Sequence, residues 1–320
     1  MSWVFPRMTA VPRGSDIDSI AAQWAARVDR GLTTSENAAL EAWLASSVRH
    51  KGALVRAQAM LVPAAARPAG YDTARPPANL GRRALLAGSV AASAALIVSP
   101  WLMKKPDGYD TILGEVRSVP LADGSVITLN TDSRVEVALK DDRREVKLLE
   151  GETFFEVASD KQRPFTVETA GVTVRAVGTA FAVRHLDDGG VEVVVHEGKI
   201  ELTGVTPTAL SLCANERART EAGKIEISKV DGDELNRSLA WRDGKIAFTG
   251  ETLGHAIEEF NRYNTTKLST ADTRIARMTV AGWFSNRDPD AFAEAVSQAL
   301  DLDIERSSKG LAFVPSRKRR

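Results

Sequence analysis

The chain has 320 residues, room for two or three domains, and its hydrophobic share of 43% is ordinary for globular protein, which excludes disorder throughout. Lys plus Arg equals Asp plus Glu at 42 each, so no net field favours nucleic acid as a direct partner. The single cysteine, Cys213, excludes an internal disulfide, and four scattered histidines offer no metal cluster, so we expect no cofactor and no metal.

The first 66 residues predict a small all-α bundle. Between Ser15, a good N-cap, and Gly31, apolar residues recur at spacings of three and four, which is typical of one helix. Two further helices follow, the third over about 49–61. Trp24, Trp43 and Leu44 are candidates for anchoring a partner, because aromatic side chains concentrate binding energy; the alternative is that the tryptophans fill the bundle. Residues 67–83, rich in Ala, Pro and Arg, predict a linker.

Residues 84–103 carry no charge and predict one transmembrane helix. At about 1.5 Å per residue the stretch reaches roughly 30 Å, the thickness of a hydrocarbon core. Its alanine, glycine and serine content makes insertion only modestly favourable, and the alternative is a buried helix of a soluble protein. Slightly more basic residues precede it (Arg67, Arg75, Arg82, Arg83) than follow it (Lys104, Lys105, Arg117). This bias favours a cytoplasmic N-terminus and a periplasmic C-terminus. Arg82-Arg83 also resembles a twin-arginine export signal.

Residues 108–205 predict an all-β domain, because the period changes to two and strand formers predominate. Turn signals such as Asp123-Gly124 and Glu150-Gly151 recur about every ten residues. The pattern fits either a sandwich or an open β-solenoid. We interpret residues 206–239 as a linker, and Cys213 within it as a small buried residue.

Residues 240–316 alternate strand and helix twice and predict an α+β domain of two β-α-β units. An exposed strand edge in such a domain can pair with another protein. Val280, Trp283 and Phe284, on one predicted strand, are the binding candidates.

Several short sequence motifs together resemble those of the FecR family of inner-membrane regulators. In the helical part they are Trp24, Trp43-Leu44 and His50. In the β part they include Leu121-Ala122-Asp123-Gly124-Ser125, Leu129-Asn130, Leu149-Glu150-Gly151-Glu152, Phe155-Glu156-Val157 and Val177-Gly178-Thr179-Ala180-Phe181. The last domain adds Trp241-Arg242-Asp243-Gly244 and Phe260-Asn261-Arg262-Tyr263, and is similar to the short N-terminal domain of secretins and TonB-dependent transporters.

The resemblance implies an anti-sigma factor that relays a signal across the inner membrane. The bundle would hold an extracytoplasmic-function sigma factor, with Trp24, Trp43 and Leu44 as contacts. The C-terminal domain would contact the signalling domain of a TonB-dependent outer-membrane transporter of iron-siderophore complexes, through Val280, Trp283 and Phe284. Release would follow regulated proteolysis by site-1 and site-2 type proteases.

The resemblance also draws attention to one peptide bond. Some members of the family cleave themselves at a Gly-Thr bond, and the matching pair is Gly178-Thr179. The Thr179 hydroxyl would attack the preceding carbonyl if a base took its proton; the alternative is an ordinary turn.

Two other classes of function remain open. The chain could be a membrane-anchored envelope protein whose β domain binds glycan or peptidoglycan. A periplasmic hydrolase is disfavoured, because His185, His196 and His255 have no serine or cysteine placed beside them in a known motif. We therefore expect no enzyme beyond the single self-cleavage.

Overall fold

The computed structural model describes residues 14–61, 106–221 and 223–316. Three helices form the N-terminal bundle: α1 (Gly14–Asp29), α2 (Thr34–Ala45) and α3 (Val48–Leu61). Thr33 caps α2 with a capping box, in which its hydroxyl accepts from the Glu36 backbone N–H and the Glu36 carboxylate accepts from the Thr33 N–H. The predicted bundle is confirmed. Its small core contains Trp24, Leu40 and Leu54.

Fourteen strands follow in the described part of the chain. They are β1 (Asp107–Asp110), β2 (Arg117–Pro120), β3 (Val126–Leu129), β4 (Arg134–Leu139), β5 (Arg144–Glu150), β6 (Glu152–Glu156), β7 (Phe165–Thr169), β8 (Val172–Ala176), β9 (Ala180–His185), β10 (Val191–Glu197), β11 (Lys199–Thr203), β12 (Leu210–Cys213), β13 (Glu216–Glu221) and β14 (Lys224–Lys229).

The strands form a sandwich of two seven-stranded sheets. The first sheet has the order β1-β4-β5-β7-β8-β11-β12 and the second the order β14-β13-β10-β9-β6-β3-β2. Apolar side chains from both sheets share one core, in which the ring of Phe155 in the second sheet lies 6.0 Å from that of Phe165 in the first, measured between ring centroids. Of the two predicted all-β architectures, the sandwich is the one observed.

The interpretation of residues 206–239 as a linker is wrong. This stretch supplies β12, β13 and β14, which extend both sheets at their edges, and then α4 (Gly232–Ser238). Edge strands bury few side chains: in β14 nearly every residue is exposed, so the apolar alternation that marks a strand is weak. Cys213 ends β12 with its side chain exposed, and its interpretation as a buried residue is wrong too.

The C-terminal module follows a short 3₁₀ helix at Ala240–Asp243. It contains β15 (Lys245–Thr252), α5 (Leu253–Asn261), β16 (Lys267–Ser269), α6 (Thr273–Ala276), β17 (Thr279–Ser285), α7 (Pro289–Leu300), β18 (Leu302–Ser307) and β19 (Gly310–Pro315). Strands β15 and β17 form one antiparallel pair, and β16, β19 and β18 form a second sheet. Phe260 of α5 stacks on Phe292 of α7 at 4.0 Å between ring centroids. The predicted strand and helix alternation is confirmed.

The module packs against the outer face of the second sheet of the sandwich. Phe154 of β6 and Ala180 and Ala182 of β9 belong to the same apolar cluster as Trp241 and the module core. All five residues of β6 are therefore buried, although one face of a sandwich sheet usually meets water.

No described helix is long and apolar enough to cross a membrane. The predicted span at 84–103 lies outside the described residues.

Candidate interaction sites

A network of charged side chains joins the sandwich to the module. Arg262, at the end of α5, contacts Glu152 of β6 at 2.9 Å and Glu259 at 2.8 Å. Arg184 of β9 contacts the other oxygen of Glu259 at 2.9 Å. Four charges from two domains thus alternate in sign, and each side chain of the network is mostly buried. Buried charges are tolerated where they are paired and hydrogen-bonded.

Neutral groups complete this network. The Asn130 side chain donates to the Tyr263 hydroxyl at 2.8 Å and to Glu152 at 3.0 Å. The Thr131 hydroxyl donates to the backbone carbonyl of Arg262 at 3.0 Å. Every one of these bonds crosses between the domains or supports a residue that does.

The electrostatics favour the charged form of Glu259. Burial raises the pKa of its carboxyl, but Arg262 and Arg184 outweigh burial and lower the pKa to about 2. The same carboxylates, Glu259 before Glu152, raise the pKa of Arg262 against the opposing effect of burial. Glu259 and Arg262 are therefore both charged at neutral pH.

A second buried pair lies at the other end of β6. Arg242 is 3.4 Å from Glu156, each side chain is 4% exposed, and the guanidinium lies 4.3 Å from the Phe154 ring centroid. Burial raises the pKa of Glu156 despite the attraction of Arg242, and burial lowers the pKa of Arg242. At this longer distance desolvation outweighs the attraction, so this pair is the weaker of the two ionic contacts.

The bundle places its candidate residues mainly inside. Trp24 is buried, Trp43 and Leu44 are half-buried against the core, and the two indoles lie 6.5 Å apart. His50 stacks on Trp43 at 4.3 Å, and a hydrogen bond joins its Nδ1 to the Trp43 carbonyl. The spacing of tryptophans and histidine therefore specifies an aromatic cluster that shapes the bundle. That these residues contact a partner stays a prediction.

The bundle also contacts the other domains through α3. Arg49 donates to Glu197 at 2.6 Å and to the Gly178 carbonyl at 2.8 Å. Lys51 contacts Asp243 at 2.5 Å. Gly52 lies so close to the sandwich that a Cβ there would stand 2.6 Å from the Glu156 carboxyl, so a side chain at this position would require that carboxyl to move. These contacts require the bundle and the sandwich on one side of any membrane.

Strand β17 separates its three candidate residues between two faces. Val280 is buried and Phe284 packs among Phe260 and Phe292, because alternate residues of a strand point to opposite faces. Trp283 points outward and is 59% exposed. Only Trp283 is available to a partner without unfolding the module.

Gly178 and Thr179 precede β9 in a constrained turn. Gly178 has φ of +141°, and the nearest atom of Ser159 lies 3.0 Å from where a Cβ on Gly178 would be. Thr179 is buried, and its hydroxyl has no hydrogen-bond partner among the described residues. The turn is thus tight, but no base is in hydrogen-bond contact with the hydroxyl in the part of the chain that the structure describes.

The interdomain residues were not predicted as a site, although the phrases that contain them were recognised. Asn130, Glu152 and Glu156 lie in β-domain phrases, and Arg242 and Arg262 lie in phrases of the module. The available signal was the spacing of Glu152, Phe154 and Glu156, which puts two acids and an aromatic on one strand face. Their arginine partners lie 86 and 110 residues away in sequence, so the pairing itself could not be predicted from one sequence.

Sandwich, docked module and helical bundle together define a multidomain protein built around binding interfaces. Residues 107–201 match the sequence profile of the family described as FecR protein. This match confirms, over that segment, the resemblance to the FecR family seen in the sequence. No curated protein matches the chain.

Two solved structures are similar in fold, both of a candidate anti-sigma factor from Parabacteroides distasonis ATCC 8503. The crystal structure at 1.65 Å has a TM-score of 0.56 and the one at 2.50 Å a TM-score of 0.55. Each is 23% identical in sequence, and each alignment covers 66% of this chain and 99% of the other. At this identity the similarity establishes the shared fold alone.

Proposed function

We propose that this chain is an anti-sigma factor whose helical bundle binds an extracytoplasmic-function sigma factor. The observation that carries the proposal is the FecR segment at residues 107–201, preceded by a separate three-helix bundle. The name given to the structures of similar fold, a candidate anti-sigma factor, agrees with it. The bundle is small enough that a bound partner would add substantially to its stability.

In this proposal the chain crosses the inner membrane once, at 84–103, with the bundle in the cytoplasm. The sandwich and the module lie in the periplasm, where Trp283 is the contact offered to the signalling domain of a TonB-dependent transporter. Regulated proteolysis, by a site-1 type protease outside and a site-2 type protease within the membrane, then frees the sigma factor. An inserted chain of this topology cannot make the α3 contacts to the sandwich, so labelling of the two sides decides between the arrangements.

The sigma-factor proposal is tested by capture. Each extracytoplasmic-function sigma factor of the source organism is co-expressed with the tagged full-length chain, and a chain lacking residues 240–316 serves as the matched control. We expect one sigma factor to be captured by the full-length chain and by the chain lacking residues 240–316. A chain that lacks residues 1–66 should not capture it. Retention of none by the full-length chain would refute the proposal.

Self-cleavage between Gly178 and Thr179 is a separate proposal, supported by the tight turn at Gly178. In this reaction the Thr179 hydroxyl adds to the Gly178 carbonyl, the peptide C–N bond breaks, the Thr179 amine leaves with the proton, and water opens the resulting ester. Purified protein would show two fragments on a denaturing gel, and T179A would show one full-length band. One band from the unmodified chain would exclude it.

A further inference from the structure

Strand β6 turns one complete face toward the C-terminal module. Glu152, Phe154 and Glu156 are two residues apart, so their side chains share the outer face of the sheet. Phe155, between them, points into the sandwich core. Each of the three outward residues contacts the module or the 3₁₀ helix that precedes it. Glu152 contacts Arg262 of the module. Phe154 and Glu156 both contact Arg242 of the 3₁₀ helix, the first through its ring and the second through its carboxylate.

This three-residue face, which we call the β6 strip, combines apolar and ionic contact. Phe154 joins the apolar cluster of the module, while the two glutamates lie at its ends beside arginines of the opposite domain. Arg184 and Asn130 add contacts from the neighbouring strand and loop of the sandwich. An ion pair at each end of an apolar contact allows the module only one docking position on β6. A shifted module would leave buried charges without partners.

The ionic contacts are mostly shielded from water, which distinguishes them from ordinary surface pairs. Arg242 and Glu156 are each 4% exposed, whereas Arg175 and Glu201, a pair on the first sheet, are about half exposed. An exposed pair contributes little to stability, whereas a displaced but still docked module would leave a buried charge without its partner. Shifts and rotations of the docked module would therefore be resisted at both ends of the strip.

We propose that the β6 strip fixes the C-terminal module to the FecR sandwich as one rigid body, so that a partner that rotates or pulls the module moves the sandwich with it. The inference concerns only the described residues of these two domains. Glu156 also accepts a hydrogen bond from the Gly52 N–H of the bundle, but Glu152 has no such contact, so E152Q tests the inference without a sigma factor and without changing the bundle contact.

Distances between two spin labels test rigidity in the full-length chain. One label is attached to the native Cys213, which is exposed on β12, and the other to S308C, in the exposed turn between β18 and β19. The test variant is E152R/E156R, which sets arginine against arginine at both ends of the strip. The matched control is E201R, a glutamate reversed on an exposed pair.

We expect a single narrow distance distribution for the parent and for E201R, and a broad one for E152R/E156R. If E152R/E156R does not fold, the milder E152Q replaces it, and the distribution should again widen relative to the parent. A broad distribution in the parent would overturn the proposal. So would a folded strip variant whose distribution is as narrow as that of E201R.

Discussion

Single residues of the sandwich serve as fixed points between loops that are distant in sequence. Arg144 is 1% exposed and pairs with Asp123 at 2.9 Å. Its guanidinium also donates to the carbonyls of Arg163 and Ala158. The loop thus held, 158–163, includes Ser159, which packs on Gly178. One buried cation therefore positions the turn before β9.

Replacement of Arg144 tests this position. R144M leaves the Asp123 carboxylate buried without its partner, and the free energy of unfolding should fall by about 3–5 kcal/mol. The control R175M removes an exposed arginine and should change the free energy of unfolding by less than about 1 kcal/mol. Urea unfolding of the full-length chain, followed by β-sheet circular dichroism, measures both. Equal effects of the two variants would contradict the role assigned to Arg144.

His196 makes stability depend on pH. Burial, followed by the charge of Arg242, lowers the pKa of His196 to about 3, and Phe154 and Ser238 are its other neighbours. Between pH 6.5 and 3 the unfolded chain binds a proton here that the native chain does not. The free energy of unfolding should therefore decrease as the pH is lowered from 6.5 towards 3. This residue contributes up to about 1.4 kcal/mol of that decrease per pH unit.

The variant H196Q isolates that contribution. Glutamine does not titrate, so the dependence of unfolding free energy on pH should be shallower between pH 6.5 and 4 than in the parent. The charged Glu259 affects a lower range: its depressed pKa stabilises the fold above about pH 4.5, and this contribution is lost as the pH falls toward 2. Identical pH profiles for parent and H196Q would contradict a buried neutral histidine.

At the level of elements, strands that alternate in polarity were predictable and strands that do not were harder to assign. Strand β7, with every second residue buried, follows the two-residue period of a half-exposed sheet. Strand β6 is buried on both faces, because the module covers the outer one, and its Glu-Thr-Phe-Phe-Glu sequence does not show that. Strands β12–β14, at or next to the sheet edges, have too few buried residues to be distinguished from a linker. Both shortfalls have one cause, which is that burial depends on distant parts of the chain.

Strand β17 allows binding and folding to be tested separately. W283A removes an exposed side chain and should change the free energy of unfolding by no more than about 0.5 kcal/mol. F284A opens a space beside Phe292, 4.9 Å away between ring centroids, and should cost at least about 2 kcal/mol. Thermal unfolding measures the difference.

The same variants address the transporter contact. If Trp283 anchors a signalling domain, W283A should weaken its capture by about tenfold or more while the module stays folded. Undiminished capture by W283A would place the contact elsewhere on the module. F284A alone would not distinguish loss of a binding contact from loss of the folded module, since it disturbs the fold.

For the whole molecule, the relation of bundle to sandwich decides how a signal is carried. The α3 contacts to Glu197, Asp243 and the Gly178 carbonyl bring the bundle against the junction of sandwich and module. A span at 84–103 would instead put a bilayer between them, and a change outside could reach the bundle only through that helix or its cleavage. The two arrangements cannot hold in one molecule at the same time.

The native cysteine allows the most direct measurement of which side of the membrane the sandwich occupies. Cys213 is exposed on the sandwich, so a membrane-impermeant maleimide can report its side of the membrane in intact spheroplasts. The control C213S/A39C moves the only thiol to an exposed position on α2. The proposed topology predicts labelling of Cys213 before lysis and labelling of A39C only after lysis. Labelling of both only after lysis, or of both before it, would contradict a relay across the membrane.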